Sequence, residues 1–317
     1  MDSLIIPVYK NVENIPDLIE ALSGLNTRVG EPMEVVFVVD GSPDRSEEVL
    51  REQLPIASFP SQLICHSRNF GSFAAVRTGL AHARGDRVAV MAADLQEPTS
   101  LILEFFQILR DEPYDVCVGT RVNRDDPIKT RLSSQGFWFL FRLLVMPSMP
   151  PGGIDVFACT RNVAKILTEL EESHSSLVAQ IIWIGFRRKE VPYSRLARRA
   201  GRSSWTLKRR IGYMLDSVFS FTDRPLQLIS LLGTIGMLFS LVYGTLVVVA
   251  RLNGWIKEAG YAALAVLILF SMFFNLFSLG IVGQYVWRTF ENSKGRPLAI
   301  VREATCFSPQ ACHSPKD

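Results

Sequence analysis

With 317 residues, 48% of them hydrophobic, the chain is longer than one typical domain and too apolar to be disordered. A net charge of +3 is too small for a nucleic-acid-binding chain, so no nucleic-acid partner is expected. The five cysteines show no metal-ligand spacing, which excludes a zinc or disulfide framework and fits a reducing compartment.

The N-terminal segment "MDSLIIPVYKN" carries Asp2 and too short an apolar run for a signal peptide, so this part is expected to stay in the cytoplasm. Five near-continuous apolar runs follow one another: "SLIIPVY" (Ser3 to Tyr9), "EVVFVVD" (Glu34 to Asp40), "QLICHS" (Gln62 to Ser67), "RVAVMAAD" (Arg87 to Asp94) and "DVCVGTR" (Asp115 to Arg121). Segments with helical spacing separate them. This alternation predicts an α/β fold, a mostly parallel, doubly wound, Rossmann-like sheet with helices on both faces. Ligands of such sheets bind beyond the carboxyl ends of the strands.

Two of those ends carry acids. Asp40 opens "DGSPDRS", where Gly41 permits a tight turn and Ser42 and Asp44 can cap the next helix. Asp94 and Gln96 flank Leu95, and an extended backbone would point both side chains the same way. One carboxylate and one amide oxygen suit Mg²⁺ or Mn²⁺, with most of the coordination shell left to water and a diphosphate.

Past Arg121 the pattern changes. Asn123 to Gln135 is polar and reads as a mobile loop able to close over a ligand. "GFWFLFRLLVM" (Gly136 to Met146) is apolar nearly all round and reads equally as a core helix or as an interfacial helix, spanning about 136–148. "DVFACTR" (Asp155 to Arg161) resembles one more strand, and helices follow to about Gly185. The first domain is placed at 1–200.

From Arg187 to Arg210 ten basic residues face one acid, Glu190. "WTLKRRIGYMLDSVFSF" (Trp205 to Phe221) reads as an amphipathic juxtamembrane helix within 201–223. Pro225 to Ala250 and Ala259 to Trp287 carry no charge. Each run exceeds the roughly 20 residues needed to cross a bilayer, so two transmembrane helices, about 225–250 and 260–287, are expected within 224–290. The basic flanks place both termini in the cytoplasm, and the hairpin in the inner (plasma) membrane. Gly233, Gly236, Ser240 and Gly244 permit helix packing, and a homo-oligomer is expected. Residues 291–317 read as a cytoplasmic tail, with Cys306, Cys312 and His313 in a disordered Ser/Pro-containing stretch.

In combination the motifs are specific. "IPVY" with "ENI", "VVDGSPDRS", "SRNFGSFAAVRTGL", "ADLQEP", "VGTR", "GGIDVF", "RAGRSSW" and "GQYVWRTFENSKGRPLAIV" give the chain, over nearly its whole length, a resemblance to the polyprenyl-phosphate glycosyltransferases. These are membrane-anchored, inverting, GT-A-fold nucleotide-sugar transferases, and the look is that of the bacterial undecaprenyl-phosphate glucosyltransferases. The chain departs at Lys10 and Asn11 of "YNE", at Val39 before "DGS", and at Ser204, where Arg202 is the expected replacement charge.

The resemblance implies transfer of glucose from UDP-glucose to polyprenyl phosphate with inversion. It implies donor contacts from Pro7, Tyr9, Glu13, Asp40, Ser42, Asn69, Arg77, Asp94 and Gln96, and a metal held by Asp94 and Gln96. It implies acceptor-phosphate contacts from Arg121, Arg131, Arg199, Arg202 and Ser203, with Asp155 near the acceptor as base or orienting group. GDP-mannose with dolichyl phosphate, an aminosugar donor, and a non-catalytic nucleotide-sugar sensor or flippase subunit stay open as alternatives. "QIIWIG" is not the QxxRW motif of processive polysaccharide synthases.

Overall fold

A computed structural model describes residues 1–121, 128–173, 175–196, 207–254 and 260–308. Eight strands, β1 (Asp2–Val8), β2 (Met33–Val39), β3 (Ser61–His66), β4 (Arg87–Val90), β5 (Val116–Arg121), β6 (Phe157–Thr160), β7 (Arg188–Tyr193) and β8 (Val301–Phe307), form one sheet. Their spatial order is β7-β5-β6-β4-β1-β2-β3-β8. The helices α1 (Ile15–Val29), α2 (Ser46–Gln53), α3 (Ser72–His82) and α4 (Thr99–Asp111) return the chain between the first five strands.

Alternation along the strands fills both faces. Leu4, Ile6 and Val8 of β1 join Leu18, Leu22 and Leu25 of α1 and Phe105 of α4, whereas Ile5 turns to the opposite face with Ala75 and Leu80 of α3. The apolar residues of α1 recur at helical spacing, and Gly30 ends that helix in the left-handed conformation. Burial on both faces is why these strands read as unbroken apolar runs.

The sheet is mostly parallel, as expected, with two reversed strands, β6 and β8. β1 pairs in parallel with β2 and β4, β2 with β3, and β5 with β7. β6 enters between β4 and β5, antiparallel to both, and β8 lies antiparallel on β3. A short apolar run carries no signal for its direction, so the sequence could not disclose the inserted β6.

Two expectations change. α5 (Ile128–Leu144) begins within the stretch read as a loop, so 128–135 is helical, while 122–127 lies outside the described residues. Polar residues and Ser133, Ser134 and Gly136 obscured its first turns. Val301–Phe307 is β8 rather than disordered tail, and Cys306 pairs with Gln62 in the β3 register. Arg51 meets Glu303 at 2.6 Å and Arg302 meets Glu47 at 2.7 Å, which ties the new edge to α2. Cys312 and His313 lie outside the described residues.

α6 (Arg161–Glu169) and α7 (Leu177–Trp183) pack on the α3 face. α8 (Leu207–Phe221) lies against α5, where Tyr213 stacks on Phe141 with ring centroids 6.1 Å apart. The aromatic stretch of α5 is therefore divided: Phe141 is fully buried, whereas Phe139 is 61% exposed. α9 (Arg224–Leu252) and α10 (Tyr261–Ser293) coincide in position with the two expected spans. Among the described residues one segment, Phe270–Ser293, is long and apolar enough to cross a membrane. The C-terminal part of α10 is tied to α8, since Arg288 bonds Asp216 at 2.7 Å.

Candidate active site

The candidate site residues gather where β1, β2 and β4 end. Beyond β1, Lys10 adopts φ +57°, a left-handed conformation unusual for a side-chain-bearing residue. Its N–H donates to Ser42 Oγ at 2.8 Å, and Ser42 donates to Asp44 Oδ1 at 2.6 Å. Asp44 also accepts from the N–H of Val12 and of Ser46, so one carboxylate joins the loop after β1 to the loop after β2. Burial pushes the Asp44 carboxyl up, but these hydrogen bonds outweigh it and hold it below the ordinary range.

Asp40 is buried, with Nδ1 of His66 2.9 Å from Oδ1 and the N–H groups of Phe70 and Gly71 each donating at 2.8 Å. Burial pushes its pKa up and the three partners pull it down, with a net displacement below the usual carboxylate value. Asp40 therefore shapes the "SRNFG" loop through its carboxylate. Asn69 donates to the Asp40 carbonyl at 3.2 Å from an exposed position. Gly41 has φ +55°, and a Cβ there would collide with the backbone of Arg68.

Arg77 is turned into the fold. It is buried and donates to the carbonyls of Leu167 and Leu170 and to Gln180 Oε1. It braces α3 against α6 and α7, because an interior guanidinium must satisfy its donors. Tyr9 and Glu13 are exposed and Pro7 is half-buried, so these three remain available beside Ser42 and Asn69.

At the end of β4 the backbone turns. Leu95 has φ +53°, so Asp94 and Gln96 do not project from an extended strand. Gln96 N–H approaches Asp94 Oδ1 at 3.4 Å, and Arg195 Nη2 donates to Gln96 Oε1. Leu196 N–H donates to the Gln96 carbonyl at 2.9 Å, which binds this turn to the segment after β7. The neighbouring Glu97 is buried and accepts from Ala92 N–H at 3.2 Å. Burial, then the charges of Asp94 and Asp155, push its carboxyl up to about 7.

The third wall comes from β5, β6 and β7. Arg121 Nε pairs with Asp155 Oδ2, and the Tyr193 hydroxyl donates to the same oxygen at 3.3 Å. Burial lowers the Arg121 affinity for its proton, but the Asp155 charge outweighs this and the net displacement is upward. Glu97 feels the charges of both Asp94 and Asp155, so the three carboxylates lie near one another. Arg131 lies on α5 with its side chain outside the described residues, as are Arg199, Arg202 and Ser203 altogether.

The oxygen-only donor set suits a hard divalent cation. Asp94 fits that role, whereas Gln96 gives its amide oxygen to Arg195 in this arrangement. Among the described residues no three His, Cys, Asp or Glu side chains are grouped to hold a metal. Glu97, Tyr193 and Arg195 were missed by sequence reasoning. Glu97 stood in the quoted "ADLQEP", and an acid adjoining Asp94 was the available signal; Arg195 was counted only as part of a basic run.

An α/β domain with carboxylates and guanidinium groups converging at its strand ends is equipped for group transfer between anions. The chain belongs to glycosyl transferase family 2, whose profile matches residues 3–189, and its mixed eight-stranded sheet is GT-A-like. It is 30% identical over 302 residues to the uncharacterized glycosyltransferase sll0501 of Synechocystis sp., covering 95% of this chain and 94% of the relative. It is 28% identical to the undecaprenyl-phosphate 4-deoxy-4-formamido-L-arabinose transferase of Klebsiella pneumoniae, covering 95% and 92%. A solved mannosyltransferase from Pyrobaculum calidifontis superposes with TM-score 0.48 at 18% identity, over 90% of this chain and 87% of that one.

Proposed function

We propose that this glycosyltransferase moves glucose from UDP-glucose onto the phosphate of a polyprenyl lipid, with inversion, releasing UDP. The observation that carries this reading is the Arg121–Asp155 pair standing beside Asp94 and Glu97 at one end of the sheet. The full-length likeness to a transferase named for undecaprenyl phosphate supports the acceptor class.

Two demands dominate the chemistry: charge must be neutralised on the departing diphosphate, and one anion must be steered toward another. Arg121 suits the second, because a guanidinium binds phosphate oxygens in a fixed geometry. Asp155 fixes that guanidinium and orients the acceptor. A phosphate monoester, with a second pKa near about 6, is mostly deprotonated at neutral pH, so proton removal is a small part of the barrier. Tyr9, Ser42 and Asn69 line the donor side. Mg²⁺ or Mn²⁺, held by Asp94 and by Gln96 when Arg195 releases it, would act as a Lewis acid on the diphosphate.

We place α9 and α10 across the membrane as a hairpin, with the catalytic domain on the cytoplasmic side. The uncharged runs and the basic segment before them support this. Labelling of introduced cysteines at 252–254 from outside the cell, and of Cys306 only after lysis, is the expected pattern.

Purified protein incubated with undecaprenyl phosphate and a mixture of nucleotide sugars should yield hexosyl-phosphoryl-polyprenol from UDP-glucose, read by mass spectrometry of the lipid. An aminosugar product is the second reading, favoured by the name of the Klebsiella relative. Product from GDP-mannose alone overturns the donor assignment.

A further inference from the structure

We propose that Tyr193 is a positioning residue for the acceptor end of the site, its hydroxyl fixing Asp155 and, through it, Arg121. This rests on the polyprenyl-phosphate reading given above.

The last paired residues of the parallel strands β5 and β7 are Arg121 and Tyr193, directly in register. In-register neighbours on a sheet project from the same face, so both side chains leave toward the segment that precedes β6. They converge on a single atom, Asp155 Oδ2.

A tyrosine only 5% exposed must find a partner for its hydroxyl, and here that partner is a half-exposed carboxylate rather than a core carbonyl. Room for the ring is built into the neighbouring strand. A Cβ on Gly119, two residues before Arg121 on the same face of β5, would come within 3.1 Å of the Tyr193 ring and would press on Val156. The glycine of "VGTR" thus lets the ring lie flat enough for its hydroxyl to reach Asp155. Burial, with the Asp155 and Glu97 charges, raises the phenol above its ordinary range, so it stays a donor wherever the enzyme works.

The test is Tyr193→Phe, which keeps the ring and removes only the hydroxyl. We expect kcat to fall about tenfold, the loss of one hydrogen bond to a charged group, with the KM for nucleotide sugar unchanged. Affinity for farnesyl phosphate, read by calorimetry, should fall severalfold while UDP affinity holds. In an Asp155→Asn background the same substitution should cost nothing further, since the two act as one unit.

A wild type that makes glycolipid while Tyr193→Phe matches it, or loses donor and acceptor affinity equally, overturns this inference alone. If the wild type makes no glycolipid but Tyr193→Phe still weakens farnesyl phosphate binding, the proposed reaction fails and the positioning role stands. Unchanged farnesyl phosphate affinity in that case overturns both. Should Tyr193→Phe fail to fold, Gly119→Ala, which displaces the ring and keeps the hydroxyl, must show the same acceptor-selective loss or the inference falls.

Discussion

Arg195 donates through Nη2 to Oε1 of Gln96, so a guanidinium stands on the amide oxygen that the sequence assigns to a cation. An amide oxygen has two lone pairs, but a guanidinium held on one of them repels a cation approaching the other. A cation held through Gln96 would favour displacement of Arg195, and with it of the segment 195–196 that is bonded to the Gln96 backbone.

Replacing Arg195 with alanine removes the competitor and leaves Asp94, Glu97 and Asp155 less neutralised. Mn²⁺ affinity of the nucleotide-free protein, followed by electron paramagnetic resonance, should rise about tenfold, the equivalent of one charge-assisted hydrogen bond. Equal or weaker binding would show that Gln96 does not exchange partners.

Asp94→Asn and Asp155→Asn should each leave a folded protein with turnover reduced on the order of a hundredfold or more. They are expected to separate in binding. Asp94→Asn loses Mn²⁺, whereas Asp155→Asn keeps Mn²⁺ and UDP and weakens the acceptor. Near-normal turnover in either variant removes that residue from the reaction.

Asp40 supplies a pH dependence whose sign is fixed by its displacement. Its folded value lies below the ordinary 3.8, so the unfolded chain takes up the proton first as the medium is acidified. The stabilisation is fully present above pH 3.8 and is lost as pH falls through the lower folded value. Asp40→Asn should lower the thermal midpoint at neutral pH and flatten its decline in acid, because Phe70 N–H, Gly71 N–H and His66 lose an ionised partner. An unchanged acid limb in a melting series would count against this.

At the opposite edge, Ala304→Pro breaks the β8 ladder facing Ile64. The β3 edge should open, with a lower melting temperature and aggregates on size exclusion. Arg302→Ala removes only a surface ion pair and should cost about 0–1 kcal/mol. Comparable losses from both would mean that the ion pairs, not the ladder, hold the strand.

Much of the core was legible because its pattern is periodic. β1, β2, β3 and β5 lie within a residue or two of their predicted bounds, and α9 and α10 follow the uncharged runs. The β4 run extended past Val90, since "MAAD" is apolar although Leu95 turns the chain. β7 was hidden inside a basic segment, and β8 carries the adjacent charges Arg302 and Glu303 on an exposed edge, so neither reads as an apolar run. Site residues fared by the same logic. Asp94 stood out as an acid after a strand and Asp155 as one before a strand, whereas only tertiary contacts show which loops and helices Asp40 and Arg77 hold in place. Tyr193 gave no local sign, because its meaning depends on pairing with Arg121 across the chain.

The edge of β3 is sealed by residues synthesised some 240 positions later, after both long apolar helices have emerged. Such a distant pairing is slow to form and leaves an open template in the meantime. Nascent chains must therefore pass through a stage in which the hydrophobic helices are already made while the globular part still has a sticky flank. Crowding on the translating ribosome, rather than any weakness of the finished molecule, is where overproduction of this protein should run into trouble.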